Sequence, residues 1–360
     1  MKKLRIINAM FGRKKGGIEQ AFVDYSKSLT DLGCEVIALC YQDAPIINML
    51  PEGATVKTIT NFGQWDPVAT WKLKKLIREI APDVIVTHGN RATTLLNRAV
   101  TDIPVVSVCH NYNAKQTPDY STVITVTEDL KRTMIKKGMS EQNIFTVPNM
   151  VYVPNPAPVR DFIWNEIPVI GAMGRFVAKK GFSTYLKALG LLKNRGFKFR
   201  AILGGAGAEL DKLKKLTQVL GIESMVEFPG WIEDKEKFFS SLDVFCLPSL
   251  HEPFGIVLLE AFIHSVPVVT TDTEGPIEIV RPHIDALMVE AGEPDMLADS
   301  IEKFLRNPKF AERVAKEGFK TVTTTYDSKM VGRRLYSILE KVINKANVPA
   351  DQEKDIMEAS

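Results

Sequence analysis

Residues 243–261 read DVFCLPSLHEPFGIVLLEA. The run Val244-Phe245-Cys246-Leu247 is apolar without alternation and stops at Pro248-Ser249. That is the pattern of a parallel strand buried on both faces and ended by a turn. Pro253 and Gly255 then close a loop, after which Ile256, Val257, Leu258 and Leu259 open a helix. The start of a helix leaves backbone N–H groups without intrahelical partners and carries partial positive charge, so it attracts anions, phosphate above all. Glu252 in the loop and Glu260 inside the helix flank that point. Carboxylates repel phosphate; their use beside it is to accept hydrogen bonds from hydroxyl groups.

The same strand–loop–helix grammar repeats along the chain. Leu4 to Asn8 is a strand, Phe11 to Gly17 a basic loop ending in Gly16-Gly17, and Ile18 to Leu32 an amphipathic helix ended by Gly33. With the strand at Glu35 to Cys40 this is a βαβ unit, which predicts a parallel, doubly wound sheet. Strands at 84–87 and 105–108 run into His88 and His110. Ligands of open α/β sheets bind beyond the carboxyl ends of strands, so both histidines are well placed. A further strand is expected over 123–127. Residues 151–167 carry Pro154, Pro156 and Pro158 and no regular periodicity, which marks a linker. A second series starts with the strand Val169 to Met173, followed by Gly174, Arg175, Lys180 and Gly181. Two cations on one strand-to-helix loop suit a diphosphate. The glycines 204, 205 and 207 after the next strand read as close backbone packing, and Trp231 follows a Pro-Gly turn.

Bulk properties exclude several classes. The 360 residues, 45% hydrophobic and 25% charged, describe a globular chain of two or three domains. A net charge of +3, with the basic excess in the first half, is too small to imply nucleic acid. No stretch approaches the roughly 18 apolar residues of a membrane-spanning helix, and the start lacks the apolar core of a signal peptide. Cys34, Cys40, Cys109 and Cys246 are isolated in apolar surroundings, and the five histidines have no metal-ligand spacing. These features lead to an expectation of a cytoplasmic protein with reduced thiols, no cofactor and no metal site.

Glu252-Pro253-Phe254-Gly255 with Glu260 resembles the E-x7-E motif of retaining family 4 glycosyltransferases. Gly16-Gly17-Ile18-Glu19, Gly174-Arg175 through Lys180-Gly181, and Val147-Pro148-Asn149 resemble further segments of that family in the same order. The resemblance implies the GT-B fold, α/β with two facing Rossmann-like domains and an interdomain cleft. The expected bounds are about 1–160 for an acceptor-side domain and about 161–328 for a nucleotide-sugar domain, with a helix near 329–346 returning to the first. It also implies roles. His110, Arg175, Lys180 and Glu252 are the catalytic set. Gly16, Gly17, Phe254, Gly255, Ile256 and Glu260 bind the donor, and Glu19 faces the acceptor. Trp231 is either a ring stacked on the donor base or a turn aromatic packed on its own domain, and His88 either an acceptor contact or a packed polar residue.

The implied reaction transfers a hexose-type sugar from a nucleoside-diphosphate sugar to a glycan hydroxyl with retention of configuration. No D-x-D motif is present, so the two cations are expected to hold the diphosphate without a metal. A UDP-sugar is favoured over a GDP-sugar on its frequency in the family. The basic loop Arg13-Lys14-Lys15 and the basic face of the helix at 68–80 suggest an anionic or lipid-linked acceptor, such as lipopolysaccharide core, and contact with the inner face of a membrane. The readings held against this are a non-catalytic nucleotide-sugar-binding subunit and a sugar-nucleotide epimerase or hydrolase. The first predicts loss of a cation or a glutamate from the set. The second predicts donor breakdown without acceptor.

Overall fold

The long apolar runs of the sequence become two parallel sheets, each covered by helices. In this computed structural model, residues 3–13, 16–100, 102–112, 122–154 and 160–346 are described. Lys14 and Lys15 of the basic loop, Pro156 and Pro158 of the linker, and the polar tail from 347 lie outside them. The chain divides into two compact units, Met1–Tyr152 with Ser328–Ser360, and Val153–Asp327.

The first unit is built from β1 (Arg5–Met10), α1 (Gly17–Asp31), β2 (Glu35–Tyr41), β3 (Thr55–Ile59), α2 (Pro67–Ile80), β4 (Val84–His88), α3 (Asn90–Ala99), β5 (Val105–Cys109), β6 (Thr122–Thr125), α4 (Glu128–Lys136) and β7 (Ile144–Thr146). Its sheet has the order β3-β2-β1-β4-β5-β6-β7, all parallel. β1 therefore lies between β2 and β4, with Asn8 opposite Ala38 on one side and Val86 on the other. The expected strand at 123–127 stops at Thr125, because Thr127 has already turned to cap α4, its hydroxyl accepting from the Leu130 N–H at 3.3 Å. Asp66 caps α2 in the same way, taking the Val68 and Ala69 N–H groups at 2.9 and 3.0 Å.

The second unit contains β8 (Val169–Met173), α5 (Phe182–Asn194), β9 (Arg200–Gly204), α6 (Leu210–Val219), β10 (Val226–Glu227), α7 (Lys235–Ser240), β11 (Val244–Leu247), α8 (Ile256–Ile263), β12 (Val268–Thr271), α9 (Glu274–Ile279), β13 (Leu287–Val289), α10 (Pro294–Arg306) and α11 (Pro308–Thr321). Its order, β10-β9-β8-β11-β12-β13, repeats that of the first sheet. In both, the first strand of the unit sits at the centre and the order reverses beside it. This reversal opens a crevice at the carboxyl ends of β1 and β4, and again at those of β8 and β11. The core under the second sheet is apolar throughout, with Phe176, Tyr185, Leu189, Phe304 and Val314 fully buried.

A π-helical turn, Val322–Tyr326, leads to the last helix, α12 (Ser328–Ala346), which returns the chain to the first unit and packs on α1. Ser28 Oγ donates to the Ser328 carbonyl at 3.3 Å. A Cβ on Gly332 would stand 1.8 Å from Ser28 Oγ and 3.2 Å from Ser28 Cβ, so a larger residue there would turn the Ser28 hydroxyl away from the Ser328 carbonyl.

Candidate active site

In the second unit, two loops beyond the strand ends are tied together by their backbones. The Leu250 and His251 N–H groups donate to the Lys179 carbonyl at 2.8 and 3.2 Å. Gly181 has φ +65°, and a Cβ there would lie 1.8 Å from the Pro248 carbonyl oxygen, so only glycine lets the loops approach this closely. The result sets Lys180 Nζ against Glu252 Oε2 in a direct ion pair, and Ser249 Oγ donates to the same oxygen at 3.1 Å. Glu252 is 7% exposed, so the pair is largely withdrawn from water. Arg175 is exposed, and its guanidinium makes no ion pair or hydrogen bond among the described residues.

Gly255 caps α8 with φ +96°. The loop before it is held from behind by the start of α9. The Gly275 N–H donates to the Glu252 carbonyl at 2.8 Å, and the Glu252 N–H donates to Glu274 Oε2 at 3.1 Å. Glu274 Oε1 lies 2.5 Å from His251 Nδ1. Phe254 is buried with its ring edge-on to Tyr326, so it serves the loop through packing. Glu260 points to Lys235, with Nζ 2.5 Å from Oε1. The loop Gly204–Gly207 braces Arg175: Phe176 N–H donates to the Ala206 carbonyl at 2.8 Å, and a Cβ on Gly205 would meet the Gly174 oxygen at 1.9 Å. Trp231 is 44% exposed at the turn after Gly230.

In the first unit, the crevice at the ends of β4 and β5 contains a chain of polar side chains. His88 Nδ1 is 3.0 Å from His110 Nε2, and His88 Nε2 is 3.0 Å from Asn8 Oδ1. Asn8 Nδ2 donates in turn to the Phe22 carbonyl at 3.0 Å and to Ser26 Oγ at 2.9 Å. Burial, and to a lesser extent the neighbouring His110, holds the pKa of His88 well below the usual histidine value. Burial pushes His110 down to about 4. Both rings are therefore neutral near neutral pH. His110 lines a cavity of about 30 Å³ together with Asn111, Gly89, Asn90 and Thr93, room for a single water-sized group.

Two families match the chain, Glycosyltransferase Family 4 over residues 15–153 and Glycosyl transferases group 1 over residues 162–321. This chain belongs to the family 4-type, group 1 glycosyltransferases. Relatives match over nearly full length. The lipopolysaccharide core biosynthesis glycosyltransferase LpsD of Rhizobium meliloti (strain 1021) is 26% identical over 95% of this chain and 100% of its own. LpsE of the same organism is 27% identical over 91% of this chain and 96% of its own. Among solved structures, Anabaena HepE in complex with UDP and glucose superposes with a TM-score of 0.81 at 20% identity, covering 94% of this chain and 99% of that one. The GT-B fold of two parallel-sheet α/β units is thus shared with known glycosyltransferases.

Within this glycosyltransferase the expected residues separate by environment. The structure brings Lys180 and Glu252 into contact and sets Gly255 and Ile256 at the start of α8. Of the two readings of His88, acceptor contact or packed polar residue, its environment is that of the second: it is 1% exposed, both its ring nitrogens are engaged, and the rings of Phe22 and Tyr25 stand roughly perpendicular to it. Gly16 and Gly17 have no left-handed backbone. A Cβ on Gly16 would meet only the carboxylate end of Glu19, with Oε2 2.9 Å away. Glu19 occupies the third position of α1 and folds back over Gly12 and Gly16, the position of a helix-capping carboxylate. Sequence reasoning missed Asn8, Lys235 and Glu274. Each owes its importance to a partner 22 to 80 residues away. No local pattern carries that signal.

Proposed function

We propose that the chain transfers a hexose-type sugar from a UDP-sugar to a hydroxyl of a cell-envelope glycan such as lipopolysaccharide core, with retention and without a metal. The observation that carries the reading is the group at the ends of β8 and β11. There the guanidinium of Arg175, which has no hydrogen-bond or ion-pair partner among the described residues, the Lys180–Glu252 pair and the start of α8 belong to one unit. Departure of the nucleoside diphosphate builds negative charge on its β-phosphate and positive charge on the sugar ring. Fixed cations and N–H donors lower that barrier most when they are positioned before the reaction. Arg175, Lys180 and the N–H groups at Phe254–Ile256 are the candidates, while Glu252 accepts from sugar hydroxyls and Glu260 from the ribose. Trp231, exposed at its turn, offers a face to the base. With Glu252 given to hydroxyls, this reading assigns no nucleophile among the described residues of the site. The acceptor hydroxyl therefore attacks on the leaving-group side, and a phosphate oxygen takes its proton. The absence of a D-x-D motif supports the metal-free form.

UDP as donor nucleotide is supported by HepE, whose structures hold UDP, UDP-glucose, or UDP and glucose. The acceptor class is supported by the names of LpsD and LpsE. Among the described residues no helix is long and apolar enough to cross a membrane. A peripheral contact is supported by the surface around α2. Phe62, Trp65, Val68 and Trp71 are all exposed there, beside Lys72, Lys74, Lys75 and Arg78. Aromatics interleaved with base are the composition that enters an anionic lipid interface. Trp71→Ser with Lys75→Ser should lower sedimentation with phosphatidylserine vesicles; equal binding by the variant counts against the contact.

The transfer reading is tested by incubating the chain with UDP-sugars and truncated core lipid in the presence of EDTA, and determining the anomeric configuration of the product. A product with the donor's configuration is expected. Activity lost with EDTA and restored by magnesium, or an inverted product, overturns the corresponding part.

A further inference from the structure

We propose that Asn8 and His88 act as positioning residues that fix His110 as its Nε2–H tautomer, leaving Nδ1 as a hydrogen-bond acceptor for a substrate hydroxyl. The hydroxyl rests on the transferase reading above; the tautomer does not.

The assignment starts from an atom with no choice. The Phe22 carbonyl can only accept, so the Asn8 atom 3.0 Å from it is the amide nitrogen, and the amide orientation is settled. Its second hydrogen goes to Ser26 Oγ at 2.9 Å, which is free to accept because its own hydrogen is donated to the Phe22 carbonyl at 2.9 Å. Asn8 Oδ1 is then an acceptor, and the His88 nitrogen 3.0 Å from it, Nε2, must carry hydrogen. A neutral imidazole has one N–H, so His88 Nδ1 holds a lone pair. The nitrogen 3.0 Å from that lone pair is His110 Nε2, which must donate. The rings are inclined by only 21°, which keeps lone pair and N–H near one plane. Neutral His110 then has its lone pair on Nδ1, and that atom has no hydrogen-bond partner among the described residues. His110 lines the cavity at the end of β5.

The consequence is a choice of role. A free histidine at a hydroxyl-binding site can donate or accept, and exchanges between the two. Here the buried chain, running from β1 through β4 to β5, removes donation. A hydroxyl meeting Nδ1 must offer its hydrogen, and a group offering only lone pairs is disfavoured.

Histidine 15N–1H correlation spectra of the full chain near pH 7.5 report the tautomers directly. His88 and His110 are both expected as Nε2–H. His88→Gln keeps the polarity of the chain, because its amide can donate to Asn8 and accept from His110; it should preserve the His110 tautomer. His88→Leu removes both groups and should allow His110 a substantial Nδ1–H population. In transfer assays His88→Leu should lose about 10-fold or more in kcat/KM, the cost of a mismatched hydrogen bond, while His88→Gln stays within about threefold. Wild-type His110 found as Nδ1–H overturns the proposal, and so does an unchanged tautomer in folded His88→Leu. If that variant does not fold, the wild-type and His88→Gln spectra still decide. The expected tautomer in a chain that transfers no sugar supports the relay and counts only against the transferase reading.

Discussion

Replacing Glu252 by Gln keeps the shape of the side chain and removes its charge, and the structure sets the size of the effect. The carboxylate is 10% exposed and the Lys180 side chain 18%, so neither group is fully hydrated when its partner is lost. Removing one member of a buried pair typically costs about 3–5 kcal/mol, because the other charge is left without compensation. Gln retains a carbonyl oxygen for Ser249 or Lys180, and Lys180 keeps a little contact with water. The expected loss is therefore nearer 2 kcal/mol. If Lys180 also meets the donor diphosphate, saturating UDP gives the stranded ammonium a second anion. The deficit should then shrink to less than about 1 kcal/mol. Urea unfolding of the wild type, Glu252→Gln, Lys180→Met and the double variant, each with and without UDP, measures both effects. The double-mutant cycle isolates the pair from other consequences of each change. A coupling below about 0.5 kcal/mol would mean the contact is worth no more than a surface ion pair. An identical deficit with and without UDP would refute the sharing of Lys180.

The neutral histidines give a pH signature. His110 titrates near 4 in the folded chain against 6.5 for the ordinary side chain, and His88 is lowered too. The unfolded chain therefore binds more protons between those values, so the stabilisation from keeping these rings neutral is whole above pH about 6.5 and is lost as pH falls towards 4. For His110 this amounts to at most about 3–4 kcal/mol at about 1.36 kcal/mol per pKa unit. Unfolding free energies should fall more steeply with acid in the wild type than in His88→Gln; parallel profiles would contradict the contribution of His88. Gly275→Ala should cost about 2–3 kcal/mol and weaken UDP binding, since its Cβ would stand 2.3 Å from Phe254 Cα and push the loop before α8. Wild-type stability in urea together with wild-type affinity would show that the loop yields freely.

The sheets were legible because parallel strands covered on both faces are mostly apolar runs, as in Val84–His88 and Val244–Leu247, and because each of these is followed by a glycine and then a helix. The order of strands follows from packing between distant segments, and no single stretch contains it. The same holds for the site. Glu252, Gly255 and Glu260 share one local motif and could be read together. Lys180 was visible as a loop cation, but its pairing with Glu252 depends on the fit of Gly181 against Pro248, 67 residues on. His88 and His110 looked alike at the ends of neighbouring strands. Their difference comes from depth, since Asn8, Phe22 and Tyr25 enclose the first and leave part of the second open.

Donor binding by the second unit is tested most directly by calorimetric titration of the chain with UDP, GDP and ADP, with Glu260→Ala beside the wild type. Glu260 faces Lys235 across 2.5 Å, and a hydrogen bond from a ribose hydroxyl to this carboxylate is worth about 1.5–3 kcal/mol. UDP should bind more tightly than the other two, and the variant should bind it about 10- to 100-fold more weakly. Equal affinity of wild type and Glu260→Ala for UDP, or no binding of any of the three nucleotides, would contradict the assignment of this site to a nucleotide-sugar donor.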